Sequence, residues 1–475
     1  MRAARLLSIA TLALVVGACE RSGDRITGAP RLSAAASAKQ SIGINVVLRA
    51  PPTAAQLAEL GTYGNVHGTL PEINAVLLRA SSDQLPAIQA LPYVVAANPD
   101  AERKGAPVDA VSVSNFAGGL NTWDQDAINV TVSPFTSTRA VAKDGRGVYI
   151  GVLDTGLLDS WRQYFPQERI ATQFAKAFSG GGQDQGSVSE PPNQWEHDQN
   201  SHGTHVTSTI LGYSFFGTSI NGTAPKATVI PVKVLNQAGF GWSSMIAAGI
   251  VYVANLKRSG ALGASPVVIN VSLGGPVLDA VEQAAIDFAI GEGVIIVASA
   301  GNEGEAGMGF PGAYAPVISV AASGWVGEWQ PGGDGNPINW WIADDVPETG
   351  VAANFYITDF SSRQKAGQDL DVAAPGSWVV GPFQLQSGNI SYFFLGGTSM
   401  ASPHVAGIAA LMLQKNAGLS QAKVESILER SAIPLPAGCR FVRPLPGVAE
   451  REICWGDDAS GAGLATADAA LAKTR

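Results

Sequence analysis

The stretch GVYIGVLDTG, residues 147–156, decides how the chain is read. Positions 148–153 are an apolar run on both faces, without the alternation of a sheet that has one wet side. They predict a buried parallel strand. The run stops at an acid, Asp154, followed by Thr155 and Gly156. A carboxylate in that place must be paired or hydrogen-bonded, because an isolated buried charge is too costly. Taken alone, such an Asp reads equally well as a turn or helix cap.

Similar apolar runs recur at 228–234, 267–271, 294–298, 317–321 and 370–373, and helical patterns fall near 202–211, 243–257, 278–290 and 399–414. This alternation predicts an α/β, doubly wound, mostly parallel sheet with functional groups at the C-terminal ends of its strands. Patterns at 420–431 and 461–472 predict two closing helices. Two stretches interrupt the scaffold as inserted loops: polar, Gly/Gln-rich residues 161–200, and residues 325–354, which carry four of the ten Trp. The Trp-rich stretch reads as a substrate-binding wall or as a flap packed on the domain.

Charged residues are 15% of the 475, against an average of about 25%. The net charge of −9 and the lack of a Lys/Arg cluster exclude nucleic acid as a partner. At the N-terminus Arg2 and Arg5 precede an apolar run at 6–16, too short to span a bilayer and suited to an export signal. The run ends in VGAC at Cys19, which resembles the lipobox of bacterial lipoproteins; ordinary cleavage with Cys19 incidental is the alternative. Residues 1–19 thus read as a signal with lipobox and 20–40 as a tether. The remaining cysteines, Cys439 and Cys454, are an even pair fifteen positions apart in an exported chain. They predict a disulfide, worth about 3 kcal/mol in the chain-entropy model, two free buried thiols being the alternative.

Between tether and large domain, residues 41–105 alternate strands at 44–48, 75–78 and 93–97 with helices at 53–60 and 83–91. That is a small α+β domain with little core of its own. Residues 101–114 lack apolar periodicity and predict an exposed, cleavable junction.

Two motifs join Asp154. HGTHV at 202–206 opens a helix; a lone His is usually structural, and His205 is as eligible as His202. GTSMASPHVAG at 397–407 brings Ser399 to a tight turn before a core helix, where unpaired N–H groups favour developing negative charge. A plain N-cap is the competing role for Ser399.

In the order Asp, His, Ser these motifs resemble those of the subtilisin-like serine proteases, the subtilase family, and differ from the orders of α/β-hydrolases and chymotrypsin. The resemblance covers about 147–471, and residues 41–105, ending in VVAANPD, resemble the family's inhibitory propeptide. It implies that residues 106–475 are the catalytic domain, with Ser399 as nucleophile, His202 as base, Asp154 as orienting acid and Asn302, within SAGNEG, as oxyanion donor. NVSLGG at 270–275 matches the substrate-binding edge, with Ser272, Leu273 and Gly274, joined by Ala300 and Gly301.

The implied protein is a secreted serine endopeptidase of broad specificity, made as an autoprocessed zymogen. Its partners are polypeptide substrates, its own propeptide as intramolecular inhibitor and, in the precursor, the membrane through lipidated Cys19. The chemistry requires no cofactor. TSINGTAP at 218–225 is shorter than the family's calcium loop, whereas the carbonyls of Gly312, Tyr314 and Val317 match a weaker cation site; structural calcium stays open and no metal ligand is assigned. A catalytically silent subtilase-fold binding or processing factor is the alternative, opposed by the intact motifs. Ester hydrolysis is disfavoured because Ser399 lies in GTSMA rather than G-x-S-x-G.

Overall fold

The structure is a computed structural model that describes residues 40–113, 121–132, 138–182, 190–330, 346–385, 388 and 390–475. The predicted signal and tether lie outside the described residues but for Gln40, as do residues 331–345 of the Trp-rich stretch. Ser41–Arg475 form one compact unit.

The N-terminal part contains β1 (Ser41–Leu48), α1 (Ala54–Tyr63), β2 (Gly64–Leu70), β3 (Ala75–Ser81), α2 (Leu85–Gln89) and β4 (Val94–Pro99). Thr53 starts α1 with a reciprocal cap: its hydroxyl accepts from the Gln56 N–H at 3.3 Å, and the Gln56 side chain accepts from the Thr53 N–H at 2.9 Å. The strands pair antiparallel in the order β2-β3-β1-β4. One face, with Ile44, Val46, Val76 and Leu78, closes on Leu60 and Ile88. The other sends Ala75 and Leu77 into the core of the large domain. The unit thus has a core of its own, ten buried side chains where the sequence suggested little, and adds Ile73, Ala75 and Leu77 to that of the large domain.

The chain continues through β5 (Glu102–Lys104), β6 (Asp109–Ser112) and α3 (Trp123–Ala127) into β7 (Tyr149–Asp154), β8 (Lys176–Ala177) and α4 (His202–Leu211). The hairpin of β9 (Gly212–Phe215) and β10 (Thr218–Asn221) follows, then β11 (Thr228–Lys233), β12 (Phe240–Trp242), α5 (Ser243–Arg258), β13 (Val267–Val271), α6 (Ala280–Gly291) and β14 (Ile295–Ser299). Next come β15 (Ile318–Trp325), β16 (Phe355–Ile357), β17 (Val372–Pro375), β18 (Val379–Pro382), β19 (Tyr392–Gly396) and α7 (Thr398–Lys415). α8 (Gln421–Ser431), β20 (Gly438–Val442), β21 (Arg451–Trp455) and α9 (Ala467–Lys473) close the chain.

The central sheet runs β16-β15-β14-β13-β7-β11-β8, with β17 beside β15, and only β15 and β16 pair antiparallel. This is the predicted doubly wound architecture. From β7 the chain moves to β11 on one side and then returns to β13 on the other, so the strand order reverses at β7 and opens a crevice at its C-terminal end. Successive strand residues face opposite cores. Ile150, Val152, Ile295 and Val297 pack on the side of α4 and α7, while Leu153, Ile269, Ile296 and Ala298 pack on the side of α5 and α6. A buried pair ties α7 to α3: His404 donates from Nδ1 to the Met400 carbonyl at 2.9 Å, and its Nε2 lies 2.9 Å from Asp124 Oδ2. Burial opposes ionisation of Asp124, but the His404 contact prevails and holds its carboxyl below the usual range.

The structure departs from the sequence expectation in several places. The junction at 101–114 is not simply exposed. β5 pairs with β12 and β6 with β19, and Arg103 is fully buried. Its side chains carry no apolar pattern because backbone hydrogen bonds to neighbouring strands hold it. β2 was hidden by its two glycines and His67. The helix expected at 83–91 shortens to α2 after a 3-10 turn, with Pro86 in its first turn, and the one at 461–472 starts only at Ala467, after Gly461 and Gly463 with positive φ. In the Trp-rich stretch the described part packs as core: Trp329 meets Trp378 at 5.4 Å and Phe394 at 4.7 Å between ring centroids.

Below that packing Glu328 is fully buried, accepting from the Trp325 N–H at 2.9 Å, the Tyr356 hydroxyl at 2.8 Å and the Ser377 hydroxyl at 2.8 Å. Burial outweighs these donors and pushes its carboxyl up to about 7. A raised carboxyl binds its proton more tightly folded than unfolded. Its stabilising contribution is therefore complete below about pH 4 and disappears as pH rises through about 7. In a Ser399→Ala background, Glu328→Gln is expected to flatten the fall in Tm between about pH 5 and 8. An unchanged slope in thermal unfolding would contradict this.

Candidate active site

Asp154 ends β7 at the crevice and is fully buried. Its carboxylate accepts the Thr155 N–H at 2.7 Å, and His202 Nδ1 lies 2.8 Å from Oδ1 and 3.0 Å from Oδ2. The contact requires α4 to press against the strand end. Gly203 permits it, since a Cβ there would lie 2.4 Å from the Gly156 carbonyl oxygen. Asp198 aligns the two sides: its Oδ2 accepts the Thr155 hydroxyl at 2.8 Å and the Ser201 N–H at 2.8 Å, joining the residue after Asp154 to the residue before His202. Behind it Lys233 donates to the Thr155 carbonyl and stands 3.9 Å from Asp198 Oδ1.

His202 Nε2 is buried and has no hydrogen-bond partner among the described residues. His205 plays a different part. Its Nε2 lies 3.1 Å from the Val379 carbonyl, and burial, then the nearby His202, push its pKa down to about 3, so it stays neutral.

Ser399 is the second residue of α7. Its hydroxyl donates to the Ser272 carbonyl at 3.2 Å. Ser272 ties β13 to α7, donating from Oγ to the Ser399 carbonyl at 2.8 Å, and receives Asn270 Nδ2 at 3.0 Å. Asn302 is oriented by Thr398, whose N–H and hydroxyl both donate to its Oδ1 at 2.9 Å. That leaves the Asn302 Nδ2 end toward the turn before Ser399, where a Cβ on Gly397 would sit 3.7 Å away.

A cleft of about 650 Å³ lies over these groups, lined among others by Leu273, Gly274, Gly301, Asn302 and Ser399. Ala300, expected in the pocket wall, does not line it. It is fully buried, with its N–H bonded to the Val320 carbonyl at 3.0 Å. Ser272 does not line it either: it is fully buried, and its carbonyl accepts the Ser399 hydroxyl.

The junction threads this cleft as an extended strand. The Lys104 N–H donates to the Gly274 carbonyl at 2.9 Å, the Gly274 N–H to the Lys104 carbonyl at 3.0 Å, the Gly105 N–H to the Gly239 carbonyl at 2.9 Å and the Val108 N–H to the Gly396 carbonyl at 2.7 Å. A Cβ on Gly105 would lie 3.0 Å from the Ser272 carbonyl oxygen and 3.4 Å from His202 Cε1, while Ala106 and Pro107 line the cleft with Ser399. Sequence reasoning missed this strand and the pairing of Arg103 with Glu282. A signal for Glu282 was available: a lone acid on the apolar stripe of α6 beside Ala285, Ile286 and Ala289.

Cys439 and Cys454 are bonded across β20 and β21, where they are register partners, as predicted. For a hard cation, the described residues offer the carboxylates of Asp371, Glu425 and Glu429, whose oxygens lie within 4.8 Å of one another. Asp371 Oδ1 is buried without a hydrogen-bond partner among the described residues, an oxygen-rich set of the kind calcium takes. Of the three carbonyls named from sequence, that of Tyr314 already accepts the Val317 N–H at 2.8 Å.

Residues 145–466 match the subtilase family, peptidase S8, and the chain belongs to that family. It is a serine endopeptidase. Thermitase of Thermoactinomyces vulgaris is 31% identical over 289 residues, 61% of this chain and 82% of thermitase. Sphericase is similar in structure with a TM-score of 0.54 at 29% identity, over 74% of this chain and 99% of its own. Fervidolysin from Fervidobacterium pennivorans, a keratinolytic enzyme related to subtilisin, is similar in fold at a TM-score of 0.61 and 22% identity, over 91% of this chain and 61% of its own. Subtilases act on polypeptides and need no cofactor for catalysis.

Asp198→Ala removes the link between the two sides of the site and takes from buried Lys233 the nearer of the two carboxylates that favour its charge, leaving Asp154. In the Ser399→Ala background the expected loss is about 3 kcal/mol of unfolding free energy. Denaturant titration reads it, and a loss below about 1 kcal/mol would show the link to be dispensable.

Proposed function

We propose that the enzyme hydrolyses peptide bonds through Asp154, His202 and Ser399, and that it is made as an exported, autoprocessed zymogen. The buried Asp154–His202 pair, with His202 Nε2 unpartnered beside the cleft that holds Ser399, carries the proposal. A serine hydroxyl is a poor nucleophile near neutral pH without an adjacent base. Rotation of the Ser399 side chain from the Ser272 carbonyl toward Nε2 supplies that base. His202 takes the proton as Oγ attacks the scissile carbonyl, and later gives it to the leaving amine. Asp154 holds Nδ1–H and stabilises the imidazolium. Asn302 Nδ2 and the Ser399 N–H receive the oxyanion at the start of α7, where the helix dipole adds to them.

Residues 41–105 act as the inhibitory propeptide, and the strand through the cleft is their means. The pairing of Lys104 with Gly274 and of Gly105 with Gly239, with Ala106 and Pro107 lining the cleft beside Ser399, supports Ala106–Pro107 as the bond offered to Ser399. Its leaving nitrogen is a proline ring nitrogen, which carries a methylene where other residues carry hydrogen and crowds the imidazole that must protonate it. The junction thus binds as substrate and reacts slowly. Lipidation at Cys19 would place the anchor on this N-terminal part, so membrane attachment belongs to the precursor and ends when the propeptide is degraded. A processed enzyme that stays in the membrane fraction after that loss would refute the anchoring step.

A fluorophosphonate probe is expected to label Ser399 in processed protein, and Ser399→Ala to abolish labelling and casein hydrolysis together. Absence of labelling would favour the catalytically silent alternative. Asn302→Ala is expected to lower kcat about 10²- to 10³-fold, the cost known for the corresponding donor of subtilisin, the standard example of the effect. Pro107→Ser is expected to speed self-cleavage after Ala106 about tenfold or more. A Pro107→Ser precursor as persistent as the native one, followed by N-terminal sequencing, would show that the register is wrong.

A further inference from the structure

We propose that Glu282 is the floor of an arginine-binding subsite, through which the enzyme prefers an arginine four residues before the scissile bond; this rests on the proposed cleavage register of the same cleft. Counting back from Ala106–Pro107, that position is Arg103. Of the three residues of β5, Glu102 and Lys104 are exposed and only Arg103 turns inward, where it is fully buried. Selection at this end of the cleft therefore falls on one side chain.

The guanidinium is met on each edge. Nε donates to Glu282 Oε1 at 3.1 Å, Nη2 pairs with Glu282 Oε2 and donates to the Val277 carbonyl at 3.0 Å, and Nη1 donates to the Glu102 carbonyl at 3.0 Å. A two-point pairing of this kind fits the planar fork of arginine and not the single ammonium of lysine. Gly275 makes the room, since a Cβ there would come within 2.9 Å of Nη1. Burial opposes the charge on the guanidinium, but Glu282 and, after it, Asp279, the N-cap of α6, more than offset this and raise its hold on its protons.

Glu282 and Val277 belong to the large domain and remain when the chain is cut after Ala106 and the N-terminal part leaves. Once the N-terminal part leaves, Glu282 has lost the guanidinium it pairs with here, and its two carboxylate oxygens face the emptied position at the head of the cleft. An incoming arginine restores the two-point pairing, alanine offers nothing to it, and glutamate brings a like charge.

The test uses processed enzyme and internally quenched peptides of sequence Arg-Lys-Gly-Ala-Ser-Val, with the first residue kept as Arg or changed to Lys, Ala or Glu. The expected order of kcat/KM is Arg, Lys, Ala, Glu, with Arg over Ala by about 30-fold or more. Glu282→Gln is expected to narrow the Arg to Ala ratio to within about threefold, an Oε2–guanidinium charge pair having been lost. Because the panel runs on the unaltered enzyme, it does not depend on how the variant folds. Equal kcat/KM across the four peptides, or an Arg preference that survives Glu282→Gln, overturns the subsite and leaves the protease reading standing. Cleavage of none, together with no fluorophosphonate labelling of Ser399, overturns the protease reading and the subsite with it.

Discussion

A carboxylate at the end of a fully buried strand must be answered by its surroundings, and most of this candidate active site is the answer to Asp154. Its partners come from the residue that follows it and from the first residue of α4. Bringing α4 that close needs Gly203 against the Gly156 carbonyl, and holding it there needs Asp198, which ties Thr155 to Ser201. The reversal of strand order at β7 leaves the crevice above the pair open. Burial thus forces the Asp154–His202 contact, and among the described residues it leaves Nε2 without a hydrogen-bond partner.

The second organising constraint is the backbone edge of the cleft. Gly274 on one side and Gly239 on the other present hydrogen-bonding groups to an extended chain, and the junction supplies that chain within the same molecule. An added strand gains affinity from its main chain and selectivity from whichever side chains point inward. Here the inward side chain at β5 is Arg103, and the wall it meets is acidic. The N-terminal unit is held in the same way. Its sheet lends one face to α5 and α6, and its outgoing strand occupies the site.

How much of this was legible in sequence depended on the range of the interaction. The strands of the central sheet could be read because each is apolar on both faces. The helices α4, α5 and α7 could be read because their stripes are long. β5 and β6 could not, since strands held by backbone bonds to distant edges leave no pattern in their own side chains. The same reason hid the course of Ala106 and Pro107 along the cleft, and Ala300 looked like a wall although its side chain is core. His202 and His205 were indistinguishable in HGTHV; only the neighbours, Asp154 for one and the Val379 carbonyl for the other, separate them.

By itself the sequence determined the doubly wound α/β class, the order Asp154, His202, Asn302 and Ser399 along the chain, and the disulfide partners, because these rest on local patterns and residue chemistry. Tertiary structure alone decided which histidine meets the acid, where the junction lies in the cleft, and that Glu282, more than a hundred positions from Arg103, is its partner. Those are contacts between segments far apart in sequence, and only packing brings such segments within hydrogen-bonding distance.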